Sequence, residues 1–333
     1  MRRSIEATGG QGSAHHWSPL WGWAKPYPET TGYLIETLVH YAGLLGEPAL
    51  ADLAMQCARW LQGQQLPGGS FPALLAGSGR PSVFNTAMVL SMAHALPDWC
   101  GSEARPQLEA ALRYLLRGLS PDGTWQQDAY VPGFVPSYYS YAVWRVLQAD
   151  QVLRMDGVEE AMSRALSAYA ARFLPNGAVR HWGFRPEGAA FTHTIAYTLQ
   201  GFWEAAQCLA RADVAEQTLH SAGRLWAEVQ RAGRTAGRYD EHWRGDYSFR
   251  CVTGNAQLSV LYRRLWAGCA EPEFLRAADF FLQEILDTQG LGKNPGRCGA
   301  VPGSLPLWGP YLRLRYPNWA AKFYLDALSY CCA

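Results

Sequence analysis

The chain lacks the features that mark several large classes of protein. No uninterrupted apolar run reaches the roughly 18 residues of a membrane-spanning helix, and Met1-Arg2-Arg3 leads into Ser, Gly and His rather than the apolar segment of a signal peptide. A basic field suited to nucleic acid is also missing, since Lys plus Arg total 29 against 28 Asp plus Glu, a formal net charge of +1. The 8 cysteines form no Cys-x-x-Cys pair, and Cys57, Cys208 and Cys251 lie within helical runs, so they read as reduced, small apolar residues. For the adjacent Cys331 and Cys332 a reactive tail and simple core filling both stay open. Neither a metal nor a cofactor is called for by any motif, and no linker interrupts the 333 residues. A cytoplasmic protein that neither spans a membrane nor binds nucleic acid is expected.

What the chain does contain is a repeat. Six times a loop rich in Gly, Pro and aromatics ends and an apolar helical run begins with polar residues. The starts are Glu29-Thr30-Thr31-Gly32-Tyr33, Phe84-Asn85-Thr86, Ser137-Tyr138-Tyr139-Ser140, Phe191-Thr192-His193-Thr194, Val252-Thr253-Gly254-Asn255 and Tyr316-Pro317-Asn318-Trp319. Their spacing of roughly fifty to sixty residues, with two helical runs in each period, marks stacked helical hairpins. The periodicity predicts helix pairs over 31–44 with 49–65, 83–96 with 104–119, 137–153 with 158–173, 192–210 with 213–231 and 253–266 with 272–286, then an unpaired helix over 318–330. The first helix of each pair is more apolar and carries small residues, whereas the second carries the charges. First helices then form an inner ring and second helices an outer one. The predicted fold is all-α, an (α/α)6-type toroid over 27–333, with residues 1–26 laid on it.

In such a ring the inner helices run parallel, so their N-terminal ends converge on one mouth. Unpaired N–H groups and partial positive charge there favour an anionic group, although Thr and Asn at helix starts also serve as simple caps. Aromatic residues crowd the loops that lead there: Trp17, Trp21, Trp23, Tyr27, Trp125, Trp182, Trp243 and Trp308. Indole faces suit sugar rings, while about half of these rings are expected to brace loops instead. The turns Pro67-Gly68-Gly69-Ser70-Phe71 and Pro121-Asp122-Gly123-Thr124-Trp125 sit at equivalent places, with Pro175-Asn176-Gly177-Ala178 a weaker third copy; Gly permits the reversal, and the aromatic that follows in the first two plugs a gap between hairpins.

These Gly-x-Phe/Trp loops resemble the repeats of the squalene-cyclase and protein-prenyltransferase toroids. A closer resemblance is to a set of bacterial toroid proteins encoded with polysaccharide-biosynthesis genes. It is carried by Pro28-Glu29-Thr30-Thr31-Gly32-Tyr33, Thr192-His193-Thr194-Ile195-Ala196-Tyr197, Thr253-Gly254-Asn255-Ala256-Gln257, Val301-Pro302-Gly303-Ser304 with Pro306-Leu307-Trp308-Gly309, and Tyr316-Pro317-Asn318-Trp319-Ala320-Ala321-Lys322-Phe323. That resemblance implies work on a surface or exported glycan, in association with glycan-assembly enzymes, and implies no particular reaction. The terpenoid alternative loses weight because no Asp-x-Asp-Asp acid motif and no zinc-ligand spacing occurs.

Two chemistries on an acidic oligosaccharide or polysaccharide use nearly the same residues. A glycosidase needs two carboxylates about 5 to 9.5 Å apart. Glu29, expected to be ionised at its helix start, and Asp240 or Glu241 of Arg238-Tyr239-Asp240-Glu241-His242-Trp243 supply them, one of the adjacent pair facing the cavity. A uronate lyase or epimerase needs a base and donors for the carboxylate. His193 is the candidate base, or else a hydrogen-bonded helix cap, with Tyr197 one turn below it. Arg180, His181, Asn255, Asn318 and Lys322 are the candidate holders of the acid group, and Arg238 is a further candidate binding residue. Tyr27, Asn85, Tyr139, Trp243 and Trp308 complete the candidate binding surface. Other histidines are structural (His40, His94, His220) or belong to a flexible start (His15, His16). A toroid that binds glycan without turning it over, or one that works through its outer surface, are the alternatives.

Overall fold

The computed structural model describes residues 1–292 and 297–330, so Cys331 and Cys332 lie outside the described residues. The described part is built of helices joined by loops that carry two- and three-residue strands. It divides into two compact units, one of Met1–His15, Trp23–Val135 and Ala142–Tyr169, the other of His16–Gly22, Pro136–Tyr141 and Ala170–Ala333. In chain order the helices are α1 (Arg2–Glu6), α2 (Pro28–Leu45), α3 (Pro48–Gln62), α4 (Val83–Val89), α5 (Met92–Ala95), α6 (Pro97–Gly101), α7 (Arg105–Gly118), α8 (Ser140–Leu153), α9 (Val158–Ala170), α10 (Thr192–Cys208), α11 (Ala212–Ala232), α12 (Val252–Cys269), α13 (Pro272–Leu286) and α14 (Asn318–Ser329). A single 3-10 turn over Ser137–Tyr139 leads into α8.

Local chemistry explains the boundaries. Pro at the first position starts α2, α3 and α13, where its missing N–H costs no helical bond. Gly46 and Gly233 end α2 and α11 at φ 61° and 65°, a left-handed conformation that glycine adopts without a Cβ clash. The second helices of the pairs are amphipathic. In α3, Ala54, Cys57, Ala58 and Leu61 are buried, and in α13, Phe274, Ala277, Ala278, Phe281, Leu282 and Ile285 are. First helices are buried all round, through Pro28–Ile35 in α2, Thr192–Trp203 in α10 and Val252–Tyr262 in α12.

The helix expected over 83–96 is broken into α4 and α5. At the break the Ser91 hydroxyl bonds back to the Met88 carbonyl at 2.8 Å, the competition that weakens Ser inside helices. The three equivalent glycine turns behave as expected. Gly69, Gly123 and Gly177 have φ of 92°, 82° and 84°, and a Cβ on them would lie 2.4 Å from the Ala110 carbonyl oxygen, 2.7 Å from that of Arg164 and 2.9 Å from Arg224 Cγ. Phe71 and Trp125 are fully buried behind the first two turns, and the Trp125 indole donates to the Leu115 carbonyl at 2.8 Å.

Capping differs from expectation. No side chain caps α2, α10, α12 or α14, whereas Ser82 caps α4 by accepting from Asn85 N at 3.2 Å. The threonines work one step further in. Thr31 Oγ1 donates to the Tyr27 carbonyl at 2.8 Å and accepts from Ser13 N at 3.0 Å. Thr86 Oγ1 donates to the Ser82 carbonyl at 2.6 Å and accepts from Phe71 N at 2.8 Å. Each fastens an incoming extended segment to a helix start. Cys251 proves to precede α12 in a short strand, not in a helical run. The N-terminal stretch is ordered: His15 stacks on Tyr27 with ring centroids 4.9 Å apart, and His16 pairs with Pro317 in a strand ladder.

Close approach through glycine sets the helix spacing. A Cβ on Gly201 of α10 would lie 2.2 Å from Tyr141 N, whereas one on Gly223 of α11 would meet nothing within 4 Å. Gly201→Ala is expected to destabilise by about 3 kcal/mol or more through overpacking against backbone, and Gly223→Ala to be neutral or stabilising by up to about 1 kcal/mol. Paired urea titrations of the two variants check both signs.

Candidate active site

In the first unit the polar residues of the helix starts meet around Glu29. The carboxylate sits in the first turn of α2 and is 7% exposed. Tyr27 Oη is hydrogen-bonded to Glu29 Oε2, and Tyr130 Oη lies 2.9 Å from the same oxygen. The two hydroxyls are 2.6 Å apart. Tyr130 Oη is also 2.6 Å from Asn85 Oδ1, while Asn85 Nδ2 donates to the Pro72 carbonyl at 2.7 Å. Burial pushes the Glu29 carboxyl up to about 7 against the lowering effect of the tyrosine hydroxyls. This corrects the expectation of an ionised Glu29. A helix terminus favours an anion by about 0.3–1 kcal/mol, up to about 2 when partly buried, whereas burying a carboxylate costs several. Burial and the neighbouring Glu29 also push the Tyr27 hydroxyl well above its usual range.

The second unit places His193 in an aromatic box. Its ring is 4% exposed, with centroids 4.5 Å from Tyr197, 5.2 Å from Tyr311, 6.0 Å from Phe184 and 6.4 Å from Phe323. Tyr197 lies one turn further along α10, as its spacing predicts. His193 Nδ1 is hydrogen-bonded to Gln257 Oε1 of α12. With the Gln257 oxygen against it, Nδ1 carries the proton and Nε2 keeps its lone pair, while the Gln257 NH₂ is buried without a hydrogen-bond partner in the structure. Burial lowers the His193 pKa to about 4, with Gln257 opposing. The imidazole is therefore neutral throughout the physiological range.

The loop that follows α11 is tied to itself. Asp240 Oδ1 accepts from His242 N and Arg244 N, each at 2.9 Å, and Oδ2 from Arg244 Nε at 2.7 Å. Burial raises its pKa, but the bonds from Arg244 and His242 outweigh that and hold it below the usual range. Glu241 accepts from His181 N at 3.1 Å. Arg238 forms an ion pair with Asp246 at 2.9 Å. Trp243, at φ 62°, packs edge-on against Trp182 at 5.2 Å and donates to the Asn176 carbonyl at 2.9 Å. These residues fix a turn, and Asp240 is not a free carboxylate. Asn255 likewise donates to Glu284 Oε2 at 2.7 Å, and Lys322 is ion-paired with Asp326.

The remaining candidates divide by exposure. Arg180 and His181 are exposed, and burial with the nearby Arg172 lowers the His181 pKa. Tyr139 and Asn318 are buried at their helix starts. Among the tryptophans, Trp125, Trp182 and Trp243 are buried braces, while Trp21 (70% exposed) and Trp308 (66%) offer open faces. Tyr130, Gln257, Tyr311, Phe184 and Phe323 join the two clusters without having been singled out as site residues. Gln257 lay within a quoted motif, two residues after Asn255, but nothing in the local sequence marks Tyr130. Among the described residues no group of three or more His, Cys, Asp or Glu is arranged to hold a metal ion, and no helix is long and apolar enough to cross a membrane.

No protein-family profile matches the chain, and no curated protein does. Solved structures do. An unsaturated glucuronyl hydrolase specific for heparin is 14% identical with a TM-score of 0.77, covering 98% of this chain and 92% of that one. The unsaturated glucuronyl hydrolase of Bacillus sp. GL1 is 16% identical, with a TM-score of 0.76 over the same shares. The cellobiose 2-epimerase of Bacillus thermoamylovorans B4167 is 11% identical with a TM-score of 0.70, over 99% and 100%. At such identities the likeness shows the fold, and the fold is the α/α toroid expected from the repeat.

The two buried groups give opposite pH signatures. Glu29 titrates at 4.5 when unfolded and near 7 when folded, so stability is lost as pH rises from 4.5 through 7, by about 3 kcal/mol in all. His193, at 6.5 unfolded and near 4 folded, loses stability as pH falls from 6.5 through 4. Glu29→Gln is expected to remove most of the first decline and none of the second, measured as unfolding free energy between pH 4 and pH 8.5.

Proposed function

We propose that this protein is a carbohydrate-active enzyme that moves a proton on an acidic glycan or glycan precursor, as an epimerase or lyase. The observation that carries the reading is His193. It is a buried imidazole, neutral at physiological pH, whose Nδ1 meets the Gln257 oxygen and whose Nε2 would act as the base. The aromatic wall of Tyr197, Tyr311, Phe184 and Phe323 shelters it. A base this weak needs the developing negative charge stabilised, and the start of α14, which carries Asn318 and no side-chain cap, is suited to that. Lys322 adds little net charge because Asp326 balances it. Exposed Trp308, with Arg180 and His181, would meet the rest of a sugar chain.

The similar structures support sugar chemistry on this fold, since they include glucuronyl hydrolases and a cellobiose 2-epimerase. The motif resemblance supports a setting in polysaccharide assembly or modification in the cytoplasm, beside the enzymes that build the glycan. A second reading, glycoside hydrolysis, is favoured by the burial of Glu29, which raises its carboxyl to about 7, so that it holds its proton well above the usual carboxylate range and can serve as a general acid. It needs a base other than Asp240.

The test is incubation with uronic-acid and neutral oligosaccharides in deuterated water, read by proton NMR and mass spectrometry. Deuterium is expected at the carbon beside the carboxylate, with His193→Asn slowing its uptake by about 10²–10⁴-fold. New reducing ends without carbon-bound deuterium would replace this reading with hydrolysis. Binding with no turnover on any substrate would replace it with a glycan-binding module.

A further inference from the structure

The contacts around Glu29 can be counted in protons. Four oxygen pairs lie within hydrogen-bond distance: Tyr27 with Glu29, Tyr130 with Glu29, Tyr27 with Tyr130, and Tyr130 with Asn85. Each needs one proton between its oxygens, since two lone pairs facing each other at such distances repel. With Glu29 ionised the two hydroxyls supply two protons, and two contacts stay bare. With Glu29 neutral there are three protons, and one contact stays bare.

Asn85 gives the arrangement a direction. Its side chain is fully buried, and its NH₂ is identified by the bond to the Pro72 carbonyl, which can only accept. The other amide atom is therefore the oxygen, and Tyr130 must donate to it. Tyr130 Oη then has no proton for Glu29 or Tyr27 and can only accept from them. Tyr27 donates to Tyr130, and Glu29 must donate to Tyr27. The bare contact is Tyr130 with Glu29, the longest of the four at 2.9 Å.

We propose that Tyr130 and Asn85 are positioning residues that hold Glu29 as a neutral acid, through a chain of hydrogen bonds running from Glu29 to Tyr27 to Tyr130 to Asn85. Beside this chain His15 stacks on the Tyr27 ring, and Asp128, two residues before Tyr130, accepts from Tyr114 Oη at 2.6 Å. When Glu29 releases its proton to a substrate oxygen, the cluster is left with two protons for four contacts. Recovery of a proton from water restores three. The use of that acid in turnover rests on the hydrolytic reading above, whereas the protonation state rests on the contacts alone.

The sign of a substitution separates this chain from the ordinary alternative, in which Tyr130 donates to the Glu29 carboxylate. The full-length protein is labelled with ¹³C-glutamate, and the Glu29 carboxyl resonance, assigned by its absence from Glu29→Gln, is titrated by NMR without substrate. Under the proposal Tyr130→Phe returns the Tyr27 proton to the carboxylate, so the Glu29 pKa falls by about one pH unit or more, the effect of one hydrogen bond to a charged group. If Tyr130 donates to Glu29, the same variant raises the pKa, and the proposal is overturned. Asn85→Leu frees the Tyr130 proton for Glu29 and is also expected to lower the pKa; an unchanged value would overturn the direction of the chain. Should Asn85→Leu fail to fold, Tyr130→Phe, which keeps the ring, decides alone. Because no substrate is present, failure here and failure of the proposed activity are separate results.

Discussion

Gly32, Gly201 and Gly254 let the buried helices of each unit approach to distances that any side chain would forbid. A Cβ on Gly32 would lie 2.7 Å from Val89 Cα, and one on Gly254 would lie 2.1 Å from Thr192 Oγ1 and 2.5 Å from His193 N. Such contact between backbones is what buries helices all round, and it brings the start of α12 against the start of α10. It also leaves little room for capping side chains there. The threonines of the first two helix starts turn to fastening incoming segments instead, through Ser13 N and Phe71 N.

Burial at the helix starts then decides the chemistry. Glu29 and His193 occupy corresponding places, each the second residue of its helix. The same desolvation moves one carboxyl up to about 7 and one imidazole down to about 4. Opposite shifts have a common result, because low dielectric disfavours whichever form is charged. Glu29 holds its proton further toward neutrality than a free carboxyl does, and His193 stays uncharged at pH values where a free imidazole takes up a proton. Each cluster contains a buried amide: Asn85, whose NH₂ is held by the Pro72 carbonyl, turns its oxygen to Tyr130, and Gln257 turns its oxygen to His193. Amides are suited to this because they orient without titrating.

The charged loop 238–246 shows the opposite outcome. Its Arg, Asp and Glu residues satisfy one another within the turn and with the neighbouring loop at His181, and its tryptophan is a brace against Trp182. A cluster of titratable residues in a loop is as often the means of holding that loop as a reaction centre. The open aromatic faces lie elsewhere, at Trp21 and Trp308.

The amino-acid sequence by itself determined the repeat, the pairing of buried with amphipathic helices and the glycine turns, because these follow from periodicities of a few residues and from backbone conformations that only glycine adopts freely. It also placed Glu29, Asn85 and His193 at helix starts. Tertiary structure alone decided their partners and their charge. Tyr130 lies 101 residues from Glu29 and Gln257 lies 64 from His193, and no local pattern encodes a contact at that separation. Whether a carboxylate at a helix start is ionised is a contest between the helix dipole, which is local, and desolvation, which depends on everything packed around it. The same limit applies to Asp240 and Arg238, candidate site residues in the sequence whose side chains are bound by Arg244 and Asp246, which the loop brings back on itself.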